Sequence, residues 1–176
     1  MLNIPSIPLY EYGERIKKVQ AAMAREGYDL LLSYGNEAEP QYVRYYSAYW
    51  PSFETAGVLI PAEGEPLLLI GPESYTYAAD RSKIEKIRLL KAFRESSEPE
   101  YPGKKLDTFQ SVFKEALGDK LSRGEVLFGG ASNEIKSHLC TTYHKRITHI
   151  ITGITHINKL FTFQFPQMFF DCQKIC

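Results

Sequence analysis

The stretch AGVLIPAEGEPLLLI constrains the fold of this chain more than any other part of it. Two short apolar runs, Ala56–Ile60 and Leu67–Ile70, flank a six-residue connection with Gly64 near its middle. Apolar runs of this length, bounded by Gly and Pro, are typical of strands, and the short connection between them predicts a β-hairpin. We therefore expect these two strands to pair in the antiparallel direction.

Helical patterns and further strands alternate on both sides of this hairpin. Apolar residues at helical spacing predict an amphipathic helix over residues 10–26 that ends at Gly27, and a second one that begins near residue 106 and ends at Gly118. The remaining predicted elements are strands over residues 28–33, 86–93 and 125–129 and a short helix over residues 73–81. This alternation predicts a layered α/β domain around a mixed sheet.

An aromatic segment, YVRYYSAYWPSFE at residues 42–54, lies in what we predict to be a loop before the hairpin, and six of its thirteen residues carry rings. One interpretation is packing, in which Tyr45, Tyr49, Trp50 and Phe53 cover the sheet edge beneath the hairpin. The other is an interaction surface, because Tyr and Trp combine an apolar body with a hydrogen-bonding end. Both interpretations stay open at this point.

The charges limit the class of partner. Twenty-one basic and twenty-one acidic residues cancel, which removes the electrostatic case for nucleic acid or an anionic membrane as the main partner. No apolar run is long enough to cross a bilayer, and prolines interrupt the N-terminal stretch where a signal peptide needs a continuous apolar core. We therefore expect a cytoplasmic protein.

The composition changes near residue 130. Residues 131–176 contain only two acidic residues, Glu134 and Asp171, but all four histidines and all three cysteines. The change predicts a domain over residues 1–130 and an atypical Cys/His-rich and aromatic-rich extension over residues 131–176. A frameshifted or truncated remnant and a folded extension are both open interpretations of the second part.

Candidate metal ligands are found only in this extension. His138, Cys140 and His144 lie close together in the sequence, and a helix would place Cys140 and His144 on one face. Structural zinc sites usually show tighter pairs of ligands, so the alternative is that these residues bind nothing. Elsewhere the chain contains neither a Gly-rich phosphate loop nor a G-x-S-x-G elbow, and we assign no catalytic residue.

Residues 9–128 resemble the N-terminal domain of the creatinase/prolidase group of Xaa-Pro peptidases. The resemblance rests on the order of the opening helix and strand RIKKVQAAMAREGYDLLLSYG, the tripeptide VRY, the hairpin AGVLIPAEGEPLLLIGPE and the closing helix LDTFQSVFKEALG. Around VRY the family pattern is close to N-V-R-Y-L-T-G-F, whereas Tyr42, Tyr46 and Ala48 stand here for Asn, Leu and Gly. The replacement of Gly matters because Gly often marks an unusual backbone angle.

The resemblance implies a three-layer α/β/α fold with a ribonuclease-H-like mixed sheet, and a homodimer formed through this domain. It also implies that loops near Arg44 approach the catalytic cleft of a neighbouring subunit. There the planar guanidinium would suit a substrate carboxylate; an ordinary surface ion pair is the alternative.

In the family, hydrolysis belongs to a C-terminal "pita-bread" domain that holds two divalent metals with two Asp, one His and two Glu. The two carboxylates after residue 130 are too few for such a centre. We therefore interpret the chain as the non-catalytic half of a metal-dependent Xaa-Pro peptidase, without a cofactor and inactive alone. The alternative is a free-standing small-molecule or protein-binding module that uses residues 42–54.

Overall fold

The structure is a computed structural model, and it describes residues 7–52, 54–95, 103–122 and 126–129. The helices and strands in these residues are α1 (Leu9–Glu26), β1 (Leu30–Gly35), α2 (Gln41–Ser47), β2 (Ala56–Pro61), β3 (Leu67–Ile70), α3 (Tyr75–Arg81), β4 (Ile87–Leu89), α4 (Phe109–Leu117) and β5 (Val126–Gly129). Short 3-10 turns lie at Pro72–Ser74, Lys91–Phe93 and Gly118–Ser122.

The five strands form one mixed sheet in the order β4-β3-β2-β1-β5. The predicted hairpin is confirmed, because β2 pairs antiparallel with β3 and places Leu59 opposite Leu67. Strand β1 is antiparallel to β2, whereas the two edge strands, β5 and β4, run parallel to their neighbours β1 and β3. The hairpin therefore lies inside the sheet rather than at its edge.

Helices cover both faces of the sheet. Side chains alternate along a strand, so Leu30 and Leu32 face one side and Leu31 faces the other. The first side packs against α4, whose buried residues are Phe109, Val112, Phe113 and Leu117. The second side packs against α1, α2 and α3 through a cluster that includes Val19, Met23, Val43, Tyr46 and Ala78. This arrangement confirms the three-layer α/β/α architecture.

The ends of the two long helices follow local sequence signals. Helix α1 ends where Gly27 adopts a left-handed conformation with φ of 79° and donates its N–H to the carbonyl of Met23, as the sequence predicts. Helix α4 begins at a capping box, in which the side chain of Thr108 accepts from the N–H of Ser111 and the side chain of Ser111 accepts from the N–H of Thr108.

Two predicted elements differ from the structure. The strand predicted over residues 86–93 is only three residues long, because β4 pairs with three residues of β3 and the chain then enters the 3-10 turn at Lys91–Phe93. The aromatic segment is not a loop throughout, since residues 41–47 form α2. The buried side chains of α2 are Val43, Tyr46 and Ser47, whose spacing is that of a helix face.

The backbone of Asp107 covers the outer edge at the end of β4. The carbonyl of Leu89 accepts from the N–H of Asp107 at 2.7 Å, and the N–H of Lys91 donates to the carbonyl of Asp107 at 2.9 Å. The guanidinium of Arg88 also donates two hydrogen bonds, at 2.6 and 2.9 Å, to the carboxylate of Glu115 on α4.

None of the helices in the described residues is long and apolar enough to cross a membrane. The predicted boundary near residue 130 and the extension over residues 131–176 lie outside the described residues and stay predictions.

Candidate functional site

Of the aromatic residues predicted to form a site, Tyr49 belongs to the core. It has no solvent-exposed surface, its ring lies 5.6 Å from the ring of Tyr77, and its hydroxyl donates a 2.7 Å hydrogen bond to Oε1 of Glu54. The packing interpretation therefore holds for Tyr49. Phe53, its companion in the prediction, lies outside the described residues.

Tyr45 and Trp50 are partly exposed, at 37% and 43% of their surfaces. Each ring has an arginine guanidinium above it: that of Arg15 lies 4.4 Å from the centroid of Tyr45, and that of Arg44 lies 4.7 Å from the centroid of Trp50. Cations stacked on aromatic rings attract the negative face of the ring. We call these four residues the arginine-aromatic surface.

Helix α1 holds one half of the arginine-aromatic surface in place. Arg15 donates a 2.7 Å hydrogen bond to the backbone carbonyl of Tyr45 and is also bonded to Glu11 one turn earlier on α1. Arg44 has no such anchor: among the described residues its guanidinium has no carboxylate within ion-pair distance. In the part of the chain that the structure describes, the contact of its guanidinium is the ring of Trp50, and the choice between an ion pair and a substrate carboxylate stays a prediction.

Ala48 turns the chain from α2 into the core. Its φ is 61°, which places a non-glycine residue in the left-handed region, and its N–H donates to the carbonyl of Arg44. This is the position where the family pattern has Gly. The turn is therefore made by Ala here, at the steric cost that a Cβ brings to this conformation.

Sequence reasoning missed a buried carboxyl group at Glu54. This residue is only 1% exposed. Burial, and to a lesser extent the nearby carboxylate of Glu73, raise the pKa of Glu54 to about 7. The hydrogen-bonding groups of Tyr49, Ser74 and Gly71 act in the opposite direction and limit the rise. A carboxyl group with such a pKa carries a proton for much of the time at neutral pH.

Glu54 lies against Gly71, the residue before the 3-10 turn at Pro72–Ser74. A Cβ on Gly71 would lie 2.5 Å from Oε2 of Glu54, 2.5 Å from the backbone oxygen of Phe93 and 2.8 Å from Oε2 of Glu73. We call this meeting point of Glu54, Gly71, Glu73 and Phe93 the Gly71 junction. Only the absence of a side chain at residue 71 lets these oxygens approach the backbone so closely.

An open cleft of about 490 Å³ lies beside the Gly71 junction. It is lined by Asn36, Glu37, Ala38, Glu54, Thr55 and Glu95. Among the described residues, this lining combines three carboxyl groups with neutral side chains, and the hydroxyl of Thr55 is hydrogen-bonded to that of Tyr34 at 3.1 Å rather than to a base.

The resemblance places the two-metal centre of the family in a separate C-terminal domain, not in the part of the chain that the structure describes. Within ranges 7–52, 54–95, 103–122 and 126–129, no group of three or more His, Cys, Asp or Glu is placed to hold a metal ion. The candidate ligands His138, Cys140 and His144 lie outside these ranges.

Comparison with known proteins identifies the type of domain. The sequence profile of the creatinase/prolidase N-terminal domain matches residues 15–124, which is more than half of the chain. No curated protein sequence matches the chain.

Solved structures with the same fold include dipeptidase PepE from Mycobacterium ulcerans, with a TM-score of 0.57, 12% identity, and coverage of 87% of this chain but 38% of that one. A proline dipeptidase from Streptococcus pneumoniae has a TM-score of 0.56 and 15% identity, with 83% of this chain and 97% of that chain covered. The N-terminal domain of the cytoplasmic peptidase PepQ from Mycobacterium tuberculosis has a TM-score of 0.52 and 17% identity, with 73% and 83% covered.

Proposed function

The chain belongs to the creatinase/prolidase N-terminal domain family, and we propose that it is the non-catalytic N-terminal domain of an Xaa-Pro dipeptidase-like or aminopeptidase-like protein. The family match over residues 15–124 supports this proposal, as does the fold shared with domains of Xaa-Pro peptidases. The proposed roles are the association of subunits and the shaping of a partner's substrate cleft. A cytoplasmic location is part of the proposal, and the cytoplasmic peptidase PepQ is the relative that supports it.

The arginine-aromatic surface is the observation that carries the proposed association. Trp, Tyr and Arg are the residues that most often dominate the binding energy of protein interfaces. Here two arginine–ring pairs carry partly exposed rings, and they are linked through the adjacent residues Arg44 and Tyr45 of α2. A partly exposed Trp with an arginine stacked on it loses little ordering entropy on binding, because the two side chains already restrain each other. We propose that a second copy of the chain covers this surface.

Arg44 has a further role in this proposal. Because its described contact is a ring and not a carboxylate, its five N–H donors are available to a carboxylate that approaches from outside. A substrate with a free carboxylate, bound in the cleft of a partner, would satisfy this requirement. The charge balance of the chain makes nucleic acid and anionic membranes poor alternatives.

Light scattering of the purified chain over a concentration series tests the association. We expect a dimer whose dissociation constant rises at least tenfold in Trp50→Ala. Tyr75→Ala is the matched control, because Tyr75 is an aromatic residue of α3 that is exposed to a similar extent, at 48%. A monomer at all concentrations, or equal dissociation constants in the two variants, would contradict the proposed role in association.

An assay with Xaa-Pro dipeptides and added manganese or cobalt tests the non-catalytic role separately. We expect no turnover by this chain alone. Turnover that survives repeated purification would overturn the proposal, because it would require a metal centre that the described residues do not form.

The partial exposure of Tyr45 and Trp50 also favours a second function, a free-standing binding module that takes a small molecule or a protein segment at residues 42–54. In that case the chain stays monomeric, and a ligand changes the fluorescence of Trp50, which is the only tryptophan.

A further inference from the structure

Four segments of the chain meet at the Gly71 junction. The turn after α2 contributes Tyr49, the start of β2 contributes Glu54, and the passage from β3 to α3 contributes Gly71 and Glu73. The 3-10 turn after β4 contributes the carbonyl of Phe93. The junction therefore connects the arginine-aromatic surface, through Tyr49 and its neighbour Trp50, to the start of α3.

Burial at the junction leaves one oxygen of an ionised Glu54 without a well-placed donor. Oε1 accepts from the hydroxyl of Tyr49, but Oε2 is buried and has no hydrogen bond of acceptable geometry among the described residues, and neither does the nearby hydroxyl of Ser74. A buried carboxylate oxygen without a donor is destabilising. A protonated Oε2 becomes a donor itself, and the structure places the carboxylate of Glu73 beside it across Gly71.

We propose that Glu54 is a proton-dependent latch, whose protonated form fastens the turn after α2 to the start of α3 and whose ionised form releases it. Ionisation puts two carboxylates on opposite sides of one glycine, and like charges so close repel each other. Release lets the turn after α2, which Tyr49 ties to Glu54, move away from the start of α3, and this changes the surroundings of Trp50. The latch is independent of the proposed function, since it needs neither a partner nor a substrate.

The direction of titration agrees with this geometry. The pKa of Glu54 is raised to about 7, first by burial and then by the charge of Glu73. Within the described part of the chain, the other titratable or charged groups around the junction and the cleft are Tyr49, Tyr77, Glu37, Arg94, Glu95 and Lys104. Of these, Lys104 donates its Nζ to the carbonyl of Pro72 at 2.9 Å, and the backbone N–H of Glu95 donates to Oε1 of Glu73 at 3.2 Å.

The test is a titration of the full chain labelled with ¹³C at glutamate carboxyl carbons. We expect the carboxyl signal of Glu54 to shift with a midpoint near pH 7, and the fluorescence of Trp50 to change with the same midpoint. Glu54→Gln should abolish the fluorescence change, because Gln mimics the protonated acid at every pH. Glu63→Gln is the matched control, since Glu63 is exposed in the hairpin connection and far from the junction in the sheet.

The four histidines of the chain ionise in a similar pH range, so the Glu54→Gln variant decides between the two sources of the change. A fluorescence change that persists in Glu54→Gln, or a Glu54 midpoint in the ordinary range of glutamate, would overturn the latch. If the Glu54→Gln variant does not fold, the same titration of the Glu73→Gln variant tests the latch. Removal of the facing charge must lower the midpoint of Glu54, and an unchanged midpoint would refute the proposal.

Discussion

Substitution of Gly71 by alanine tests the packing of the junction most directly. The added methyl group would lie 2.5 Å from Oε2 of Glu54 and from the backbone oxygen of Phe93, well inside van der Waals contact. The carbonyl of Phe93 belongs to the main chain and cannot rotate away, and the side chain of Glu54 is held by Tyr49. The φ of Gly71 is −68°, which alanine adopts freely, so the expected effect comes from steric overlap and not from the backbone.

The magnitude follows from two contributions. Overpacking of a filled site costs about 1–3 kcal/mol. Displacement of Glu54 breaks its hydrogen bond with Tyr49, and such a bond contributes about 1 kcal/mol. We therefore expect Gly71→Ala to lower the free energy of unfolding by about 2–4 kcal/mol, which lowers the Tm of a chain of this length by roughly 5–15 °C.

Gly13→Ala is the matched control for this substitution. Gly13 lies within α1, and a Cβ there would have no heavy atom within 4 Å. Because alanine is favoured over glycine inside a helix by about 1 kcal/mol, this variant should be more stable than the parent. Urea unfolding of the three proteins, followed by circular dichroism, measures both changes. A Gly71→Ala variant as stable as the parent would refute the described packing, as would two alanine variants that shift in the same direction.

Three further predictions concern stability. Ala48→Gly should raise the free energy of unfolding by about 0.5–1 kcal/mol in thermal unfolding, because glycine accepts the φ of 61° without strain, and a loss of stability would contradict this turn. Thr108→Ala should lower it by about 1 kcal/mol through loss of the α4 cap, whereas Thr76→Ala on the exposed side of α3 should have little effect. Stability should also fall as the pH rises from about 4.5 to about 7, because the folded chain holds the proton of Glu54 over this range and the unfolded chain does not. The full shift in the pKa of Glu54 corresponds to about 3 kcal/mol of folding stability. Because Glu54 borders the open cleft, solvent screens its charge, so we expect the free energy of unfolding to fall by about 2 kcal/mol. Urea unfolding at several pH values should show this fall in the parent and a smaller fall in Glu54→Gln; equal falls in both would refute it.

The parts of the fold that the sequence predicts are those with strong local signals. The hairpin is marked by its apolar runs, and α1 by its apolar spacing and Gly27. Helix α2 was missed because tyrosines on its exposed and buried faces hide the spacing of Val43 and Ser47. The short β4 reflects its pairing partner rather than its own sequence, which runs on in the same apolar pattern to Phe93.

The types of residue in the sequence predict only part of the candidate site. Arg44, Tyr45 and Trp50 stand out in the sequence and are exposed in the structure. Tyr49 is buried, but nothing in the local sequence pattern distinguishes it from the exposed aromatic residues. Glu54 precedes β2 and Gly71 follows β3, so the antiparallel hairpin brings both to its open end. Their close contact was not predictable, because it depends on the exact distance between the backbones. Which of the exposed rings contact a partner stays a prediction.

The occupied edge of β4 affects how copies of this domain can assemble. A free strand edge offers unpaired N–H and C=O groups on which another chain can add a strand. At the end of β4 the backbone of Asp107 is already hydrogen-bonded to the carbonyl of Leu89 and to the N–H of Lys91. In the proposed dimer, we therefore expect side-chain contacts rather than an intermolecular continuation of the sheet past the end of β4.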